Sequence, residues 1–276
     1  MPSFFQFYLK NYFIHIGIVL FLALTGCGGG GGENTSTPGT ATPQKQAPVA
    51  LGLASSYGII AGPPVTLDGN AAVTGDLAVM GNIYGLPPAL IPQYCPLIIT
   101  GTVSGTIHIC DNAAALAQND MGAALNDAGN RQSGSVEVAG DLATMPSPPF
   151  GSNNGVFKPG LYSSQGPLTI GSGETVTLDA AGDSNAVFIF QIKLGTGNTL
   201  ITGNGSKVVL ANGAQAKNVW WVPIGATLGA NSFFKGTVLS YIEPVTVLGG
   251  TVVEGRIFSL INDVTVNTGS SITVPQ

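Results

Sequence analysis

Short runs of alternating apolar and polar residues, separated by glycine-rich turns, dominate the chain after about residue 50. In Val245-Thr246-Val247, for example, we expect both valines to point inward and the threonine to point outward. Strands of this length with glycine at their ends predict an all-β fold. The composition agrees, because 40 of the 276 residues are glycine and only 8% are charged, which a large helical protein would not show.

Near the C-terminus the strand pattern repeats every 19 residues. Two rows of polar residues fall in register, the first formed by Thr227, Thr246 and Thr265 and the second by Ser232, Thr251 and Ser270. Segments 173–178 and 205–210 are also similar, at a spacing of 32, which indicates a coil with an extra loop. A period of 19 leaves about six residues for each of three sides, and stacked coils of this kind share one core. The repeat therefore predicts a triangular β-solenoid.

The first part of this region resembles the last coils more than the middle ones. Val65-Thr66-Leu67 matches Val245-Thr246-Val247 at an offset of 180 residues. A discontinuous solenoid, in which an N-terminal coil stacks beside C-terminal coils, explains the similarity. The alternative is chance similarity between short segments rich in Gly, Val and Thr.

One segment breaks the β pattern. Asp111 or Asn112 can cap a helix within residues 111–131 that ends near Gly129. Its apolar stripe comprises Leu116, Ala117, Met121, Ala124, Leu125 and Ala128. The strands around Phe188 and Trp220 are apolar on both faces, so we expect this helix to lie alongside the solenoid and cover them. Residues 82–110, which contain several prolines, are expected to form an inserted cap.

The N-terminus has the features of an export signal. Lys10 precedes the apolar run 14–24, and Leu24-Thr25-Gly26-Cys27 is similar to a bacterial lipobox. We therefore expect a lipoprotein signal peptide over residues 1–26, a lipidated Cys27, a flexible tether over 27–50 and a folded domain over 51–276. The expected location is the outer membrane or cell surface, with the membrane as a partner through the lipid. An ordinary secretory leader with a chance cysteine is the alternative.

Export also makes a disulfide between Cys95 and Cys110 permissible, and closing the loop would stabilise the fold by about 3 kcal/mol. Two buried thiols are the alternative. His108 is the only histidine after the signal and no CxxC occurs, so we expect no metal and no cofactor. The net charge of −5, spread without basic runs, argues against nucleic acid as a partner. We expect a monomer.

Seven ordered blocks of the chain resemble the bacterial and fungal ice-binding proteins of the DUF3494 type. The blocks begin with Leu51-Gly52-Leu53-Ala54-Ser55-Ser56-Tyr57 and Thr74-Gly75-Asp76-Leu77, and continue through residues 124–131, 158–163, 182–192, 212–221 and 234–239. The resemblance covers residues 51–276. It implies a right-handed, discontinuous triangular β-solenoid with one long α-helix packed alongside and, in many members, a flat ice-binding face.

An ice-binding face needs a rigid, level array of groups that organise water. Threonine fits this need because its side chain is stiff at χ1, and stacked coils repeat at about 4.7–4.9 Å, comparable to spacings in ice. The first candidate row is Thr227, Thr246 and Thr265, joined by Thr66; the second set is Asn231, Ser232, Thr251, Thr268 and Ser270. The family often carries a Thr-Ala/Gly-X-Thr/Asn motif, which Thr268-Gly269-Ser270-Ser271 approaches and Leu228-Gly229-Ala230-Asn231 lacks at its first position. The alternative is that rows of threonine are a general feature of β-solenoid surfaces and have no binding role.

The predicted function is binding of ice at the cell envelope, which would inhibit or shape ice growth and recrystallisation. A surface adhesin or glycan-binding module on the same scaffold is the alternative. We do not expect an enzyme, because one histidine cannot complete a Ser/His/Asp set, and Asp76 and Asp141, each after a glycine, are typical of corners that bond the backbone.

Overall fold

A computed structural model describes residues 43–81, 94–145, 154–195 and 197–276. Short parallel strands wind into stacked coils, and one helix lies along them. The strands are β1 (Tyr57–Ala61), β2 (Val65–Leu67), β3 (Ala72–Thr74), β4 (Asp76–Val79), β5 (Leu97–Ile99), β6 (Thr102–Val103), β7 (Ile107–Ile109), β8 (Ser135–Glu137), β9 (Gly140–Asp141), β10 (Val156–Phe157), β11 (Gly160–Ser164), β12 (Leu168–Ile170), β13 (Thr175–Asp179), β14 (Phe188–Ile192), β15 (Leu200–Thr202), β16 (Lys207–Ala211), β17 (Val219–Val222), β18 (Ala226–Leu228), β19 (Phe233–Ser240), β20 (Val245–Val247), β21 (Val252–Ser259), β22 (Val264–Val266) and β23 (Ser271–Thr273). The helix α1 spans Asn112–Asn130, and 3-10 turns span Gly52–Ser56 and Ala216–Asn218.

Each coil has three sides. The chain passes along β20, turns into the first half of β21, bends at Gly255 into its second half, and returns as β22 beside β20. The threonine face is the sheet β5-β2-β22-β20-β18-β15-β12-β9. The charged face contains β6, β3, β23, the first halves of β21 and β19, then β16, β13 and β10. The helix face contains β7, β4, β1, the second halves of β21 and β19, then β17, β14, β11 and β8. The fold is therefore the predicted three-sided solenoid.

The solenoid is discontinuous, as the sequence predicts. β2 pairs in parallel with β22, β3 with β23, and β1 with the second half of β21. The N-terminal coil is also tied to its C-terminal neighbour by a side chain, because Arg256 donates from Nε and Nη2 to the carbonyl oxygen of Ser55 at 3.1 and 2.7 Å. The coil that comes first in the chain is thus stacked on the coil that comes last.

Part of the expected cap insertion belongs to the solenoid. Residues 97–109 form β5, β6 and β7, which pair with β2, β3 and β4 as one more coil. The expectation of an insertion over residues 82–110 is wrong for this part, and residues 82–93 lie outside the described residues. Cys95 and Cys110 form the expected disulfide across the two ends of this coil.

Helix α1 begins and lies where the pattern predicts. Asp111 caps it, since its Oδ1 accepts a hydrogen bond from the backbone N–H of Ala114 at 2.8 Å. The buried side chains are Ala114, Ala115, Ala117, Met121, Ala124, Leu125 and Ala128, which pack with Ile189 and Trp220 of the helix face. Small side chains let the helix approach the sheet closely. Leu116 is 42% exposed, so its place in the predicted stripe is wrong.

Aromatic rings form a continuous stack inside the coils. The stack runs through Phe157, Tyr162, Phe190, Trp221 and Phe234. The centroids of Phe190 and Trp221 are 4.3 Å apart and those of Tyr162 and Phe190 are 5.0 Å apart, both in stacked geometry. Each such pair contributes about 0.5–1.5 kcal/mol beyond the burial of its area. The stack therefore helps to fix the spacing of successive coils.

The predicted signal peptide, Cys27 and residues 28–42 lie outside the described residues. The last part of the expected tether, residues 43–50, is described and packs on the domain, with Val49 buried at 8% exposure. Arg131 donates from Nη1 to the carbonyl oxygen of Ala47 at 2.6 Å. The expectation of a flexible tether is therefore wrong for these eight residues. Neither α1 nor any shorter helix in the described part is long and apolar enough to cross a membrane.

Candidate binding face

A row of outward-pointing threonines runs along the threonine face. Thr66 pairs with Thr265, Thr265 with Thr246, and Thr246 with Thr227. The predicted register of these four residues is confirmed. The row continues through Ile201 and Thr169 to Asp141, and it ends on the other side at Ile98.

The four threonines are held rigidly and their hydroxyls are available. Each is half-buried and stands between inward-pointing apolar residues, such as Val245 and Val247 on either side of Thr246, both fully buried. In the described part of the chain, none of the four hydroxyl groups makes a hydrogen bond to the protein. Because a β-branched side chain keeps one or two χ1 rotamers, each methyl and hydroxyl is presented to water in a restricted geometry.

The strands of the threonine face carry almost no charge, and the surface beside Thr227 is low. The residues two positions before and after Thr227 are Gly225 and Gly229, which have no side chain to rise beside it. Within the eight strands of this sheet, Asp141 at its far end is the only ionisable residue. Asp68 and Asp263 lie two positions from Thr66 and Thr265, at the strand ends, so the charges near the row are confined to the corners of the coils.

Three members of the second candidate set are wrong as surface contacts. Ser232, Thr251 and Ser270 are at most 1% exposed. Their hydroxyls bind carbonyl oxygens of the neighbouring coil, as in the 2.6 Å bond from Thr251 Oγ1 to Gly229. The cause is the preceding residue, which has a positive φ at the same place in each coil: 55° at Asn231, 74° at Gly250 and 75° at Gly269. This turn reverses the alternation, so the next side chain points inward.

The other two members of that set are exposed at a corner. Asn231 and Thr268 lie in the turns that join the threonine face to the charged face. The row also contains Thr169, which sequence reasoning missed. The available signal was the 32-residue spacing between similar segments, since Thr169 pairs with Ile201 at that spacing.

The charged face is uneven by comparison. Lys235 Nζ and Glu254 Oε2 lie 2.5 Å apart, and Phe233 is 49% exposed next to Val252, which is 39% exposed. Together with Lys207, these side chains surround a shallow depression. Charged and bulky side chains therefore interrupt this surface.

The acidic side chains form hydrogen bonds that stabilise the turns at the corners of the coils. Asp141 accepts hydrogen bonds from the backbone N–H groups of Ala143 at 2.9 Å and Gly171 at 3.1 Å, as its sequence context predicts. Hydrogen bonds from Lys158, and then from Asn212, lower the pKa of Asp179 to about 2. Among the described residues, no group of three His, Cys, Asp or Glu side chains is placed to hold a metal ion. These carboxylates stabilise the turns in which they lie.

Comparison with known proteins gives one consistent result. The family described as Ice-binding-like matches residues 59–272. An ice-binding protein of Nostoc sp. (strain HG1) is 32% identical over 223 residues, which are 79% of this chain and 71% of that protein. Ice-binding protein 1 of Shewanella frigidimarina is 29% identical over 87% of this chain, and this chain spans only 28% of its length. The crystal structure of an ice-binding protein from an Antarctic biological consortium superposes with a TM-score of 0.70 at 33% identity, over 85% of this chain and 95% of that one.

Proposed function

This chain belongs to the family of ice-binding-like proteins, and on that premise we propose that it binds ice through its threonine face and so inhibits or shapes ice growth and recrystallisation. The observation that carries the proposal is the row Thr66, Thr265, Thr246 and Thr227, four threonines in register with no internal partner for their hydroxyls in the described structure. The family assignment also supports a binding role and no enzymatic one.

The geometry of this row suits a crystalline ligand. Parallel strands repeat at about 4.7–4.9 Å along the row, so equal groups recur at a constant interval. Each hydroxyl exchanges hydrogen bonds with water, and each methyl favours a cage of water around it. Because the side chains are already fixed, little conformational entropy is lost when this water layer joins the lattice.

The charged face is a poorer surface for the same task. Lys207, Lys235 and Glu254 hold water around full charges, and removing that water without a compensating partner is costly. The ring of Phe233 is also half-exposed on this face, beside the exposed Val252. Ice is a flat and uncharged ligand, so we assign its contact to the threonine face.

The test is a pair of matched substitutions. Thr246→Tyr places a bulky ring in the middle of the threonine row, whereas Thr273→Tyr places the same ring on an exposed threonine of the charged face. We expect Thr246→Tyr to lower thermal hysteresis by about fivefold or more, because a protruding ring holds the neighbouring threonines away from the lattice. Thr273→Tyr should leave hysteresis unchanged, and circular dichroism should show that both variants fold.

Two outcomes contradict the proposal. If the wild-type protein neither shapes ice crystals nor produces hysteresis, it is not an ice-binding protein. If both tyrosine variants lose activity equally, or neither does, the threonine face is not the contact surface.

The cellular setting is a further part of the proposal. We propose that Cys27 is lipidated and holds a monomeric domain at the cell envelope, which the motif Leu24-Thr25-Gly26-Cys27 supports. The disulfide between Cys95 and Cys110 supports folding in an oxidising compartment.

Mass spectrometry of the mature N-terminus in the native host should find acyl chains on Cys27, and Cys27→Ala should release the protein from membranes. Sedimentation of the unlipidated protein should give the mass of one chain.

A further inference from the structure

The described N-terminal residues lie along one edge of the solenoid. Pro43 packs against Gly160, where the addition of a side chain would collide with the proline ring, and Gln44 covers Gly134 in the same way. Lys45 Nζ is 2.7 Å from Asp183 Oδ2. The chain therefore enters the folded domain at the place defined by these contacts.

This place is the edge between the charged face and the helix face. In the regular coils that edge is formed by Gly236 and Gly255, where β19 and β21 bend from one face to the other. Asp183 occupies the corresponding turn between β13 and β14, and Gly160 follows the turn between β10 and β11. In a three-sided coil, the edge shared by two sides lies opposite the third side. The entry point is therefore across the solenoid from the threonine face.

The entry point is fixed by bonds that do not depend on the exposed ion pair. Lys45 and Asp183 are both exposed, and such pairs contribute little. Arg131 is held by two hydrogen bonds to the carboxylate of Asp127, at 3.0 and 2.6 Å. It donates in turn to the carbonyl oxygens of Ala47 at 2.6 Å and Pro48 at 3.2 Å. A guanidinium positioned in this way clamps the backbone of the entering segment to the end of α1.

We infer that attachment through the N-terminal segment favours orientations in which the threonine face points away from the surface to which the protein is attached. This inference rests on the proposed function. An ice front is an extended plane, so a domain held on another extended surface reaches it only if its contact face points outward. Entry on the opposite edge meets this condition without any rearrangement of the domain. The partner of the presented face is thus a growing ice surface that approaches the attachment surface face-on.

The C-terminal residues provide a matched control. The side chain of Val274 packs against Gly75, and its backbone N–H reaches the carbonyl of Thr74 at 3.4 Å, in the bend between β3 and β4. This bend belongs to the same edge. Attachment through Gln276 should therefore orient the domain as the natural N-terminus does. Ser172, exposed in the turn between β12 and β13, lies instead on the edge next to the threonine face.

The experiment compares three attachment points on a flat maleimide surface. The unlipidated full-length mature chain is coupled through Cys27, and the variants Cys27→Ser/Gln276→Cys and Cys27→Ser/Ser172→Cys are coupled through linkers of similar span. At equal surface density, we expect the first two surfaces to bind ice equally and the Ser172-coupled surface to bind about threefold less, because its threonine face is turned partly toward the support. All three proteins should shape ice equally in free solution.

The outcomes separate the two proposals. If the free proteins do not act on ice, the proposed function fails, and neutron reflectivity of the Cys27-coupled layer still reports which face points outward. If the free proteins act on ice but the Cys27-coupled surface binds none, or all three surfaces bind equally, the inferred orientation is overturned. A reflectivity profile with the threonine face against the support would overturn it as well.

Discussion

The threonine face and the charged face are built from the same coils, yet they differ in how strictly their side chains repeat. Along three successive coils, the threonine face carries Thr227, Thr246 and Thr265. At matched positions of the charged face, the same three coils carry Lys235, Glu254 and Thr273. Both sets pair in register with the same backbone geometry. Stacking of coils therefore tolerates very different outward side chains, and the uniform threonine row is not required by the fold.

The strongest test is to make one face resemble the other. Thr227→Lys/Thr246→Glu places on the threonine face the pair that Lys235 and Glu254 form on the charged face, in the same two coils. We expect thermal hysteresis to fall by about tenfold or more, because two full charges retain their own hydration water beside the lattice. Ice-growth microscopy and hysteresis at equal protein concentration measure the effect.

The reverse exchange is its control. Lys235→Thr/Glu254→Thr removes a partly exposed ion pair, so stability should change by no more than about 1 kcal/mol. Hysteresis should remain at the wild-type value. A loss of hysteresis in this variant would show that the charged face, and not the threonine face, contacts ice.

A second substitution should lengthen the threonine row. Ile201 stands between Thr227 and Thr169, so Ile201→Thr would give six threonines in register. We expect hysteresis to rise by about twofold, because more groups engage the lattice at once. The matched control is Val209→Thr, which changes an exposed apolar residue of the charged face to the same residue. Equal gains in both variants would show that general polarity, and not the row, governs activity.

A third substitution separates two threonines of one coil. Thr251→Val keeps the side-chain shape but leaves the carbonyl of Gly229 without its 2.6 Å hydrogen bond. We expect the free energy of unfolding to fall by about 1–2 kcal/mol, with hysteresis unchanged near 0 °C. Thr246→Val removes a hydroxyl that has no internal partner in the described structure, and its stability should change by less than about 0.5 kcal/mol. Denaturant titration measures the free energy of unfolding of both variants. Equal destabilisation of the two would be inconsistent with the buried position of Thr251.

The smallest effect should come from lowering the pH. Asp179 ends a strand of the charged face, and hydrogen bonds from Lys158 and Asn212 lower its pKa in the folded protein to about 2. A carboxylate with a lowered pKa stabilises the fold above its unfolded pKa, and this contribution disappears as the pH falls from about 4 to about 2. The melting temperature should decline in that window, whereas hysteresis above pH 4 should not vary. Asp179→Asn should melt lower at neutral pH and lose the part of the decline that Asp179 causes.

The threonine row could be predicted because two simple periodicities coincide there. An alternation of two within the strand sets Thr246 outward between two valines, and the repeat of 19 sets it beside Thr227 and Thr265. The helix could be predicted for a similar reason, since its alanine-rich pattern differs from everything around it. Local propensity and long-range packing favour the same structure in both regions.

Corners and irregular coils could not be predicted from the same periodicities. The left-handed residue Asn231 reverses the alternation, so Ser232 is inward although its register resembles that of an exposed row. The coil of residues 97–109 was missed because it pairs with the N-terminal coil at spacings of 30–32, as in Thr66 with Ile98 and Ala72 with Thr102. The offset of 180 residues predicts that Thr66 joins the row, but it does not identify the neighbour of Thr66, which is Thr265 of the last coil.

The pairing of Ile59 with Ile257 has a consequence for biogenesis. A nascent chain that has emerged only as far as the middle coils leaves β1, β2 and β3 without their C-terminal neighbours, so completion waits for the end of translation. Contacts between residues this far apart in sequence slow folding. During the delay, the exposed strand edges can pair with other chains. Secretion in an unfolded state and folding after translocation would make the last coils available before β1, β2 and β3 need their partners. Premature termination within the last two coils should therefore yield aggregates instead of a shorter functional domain.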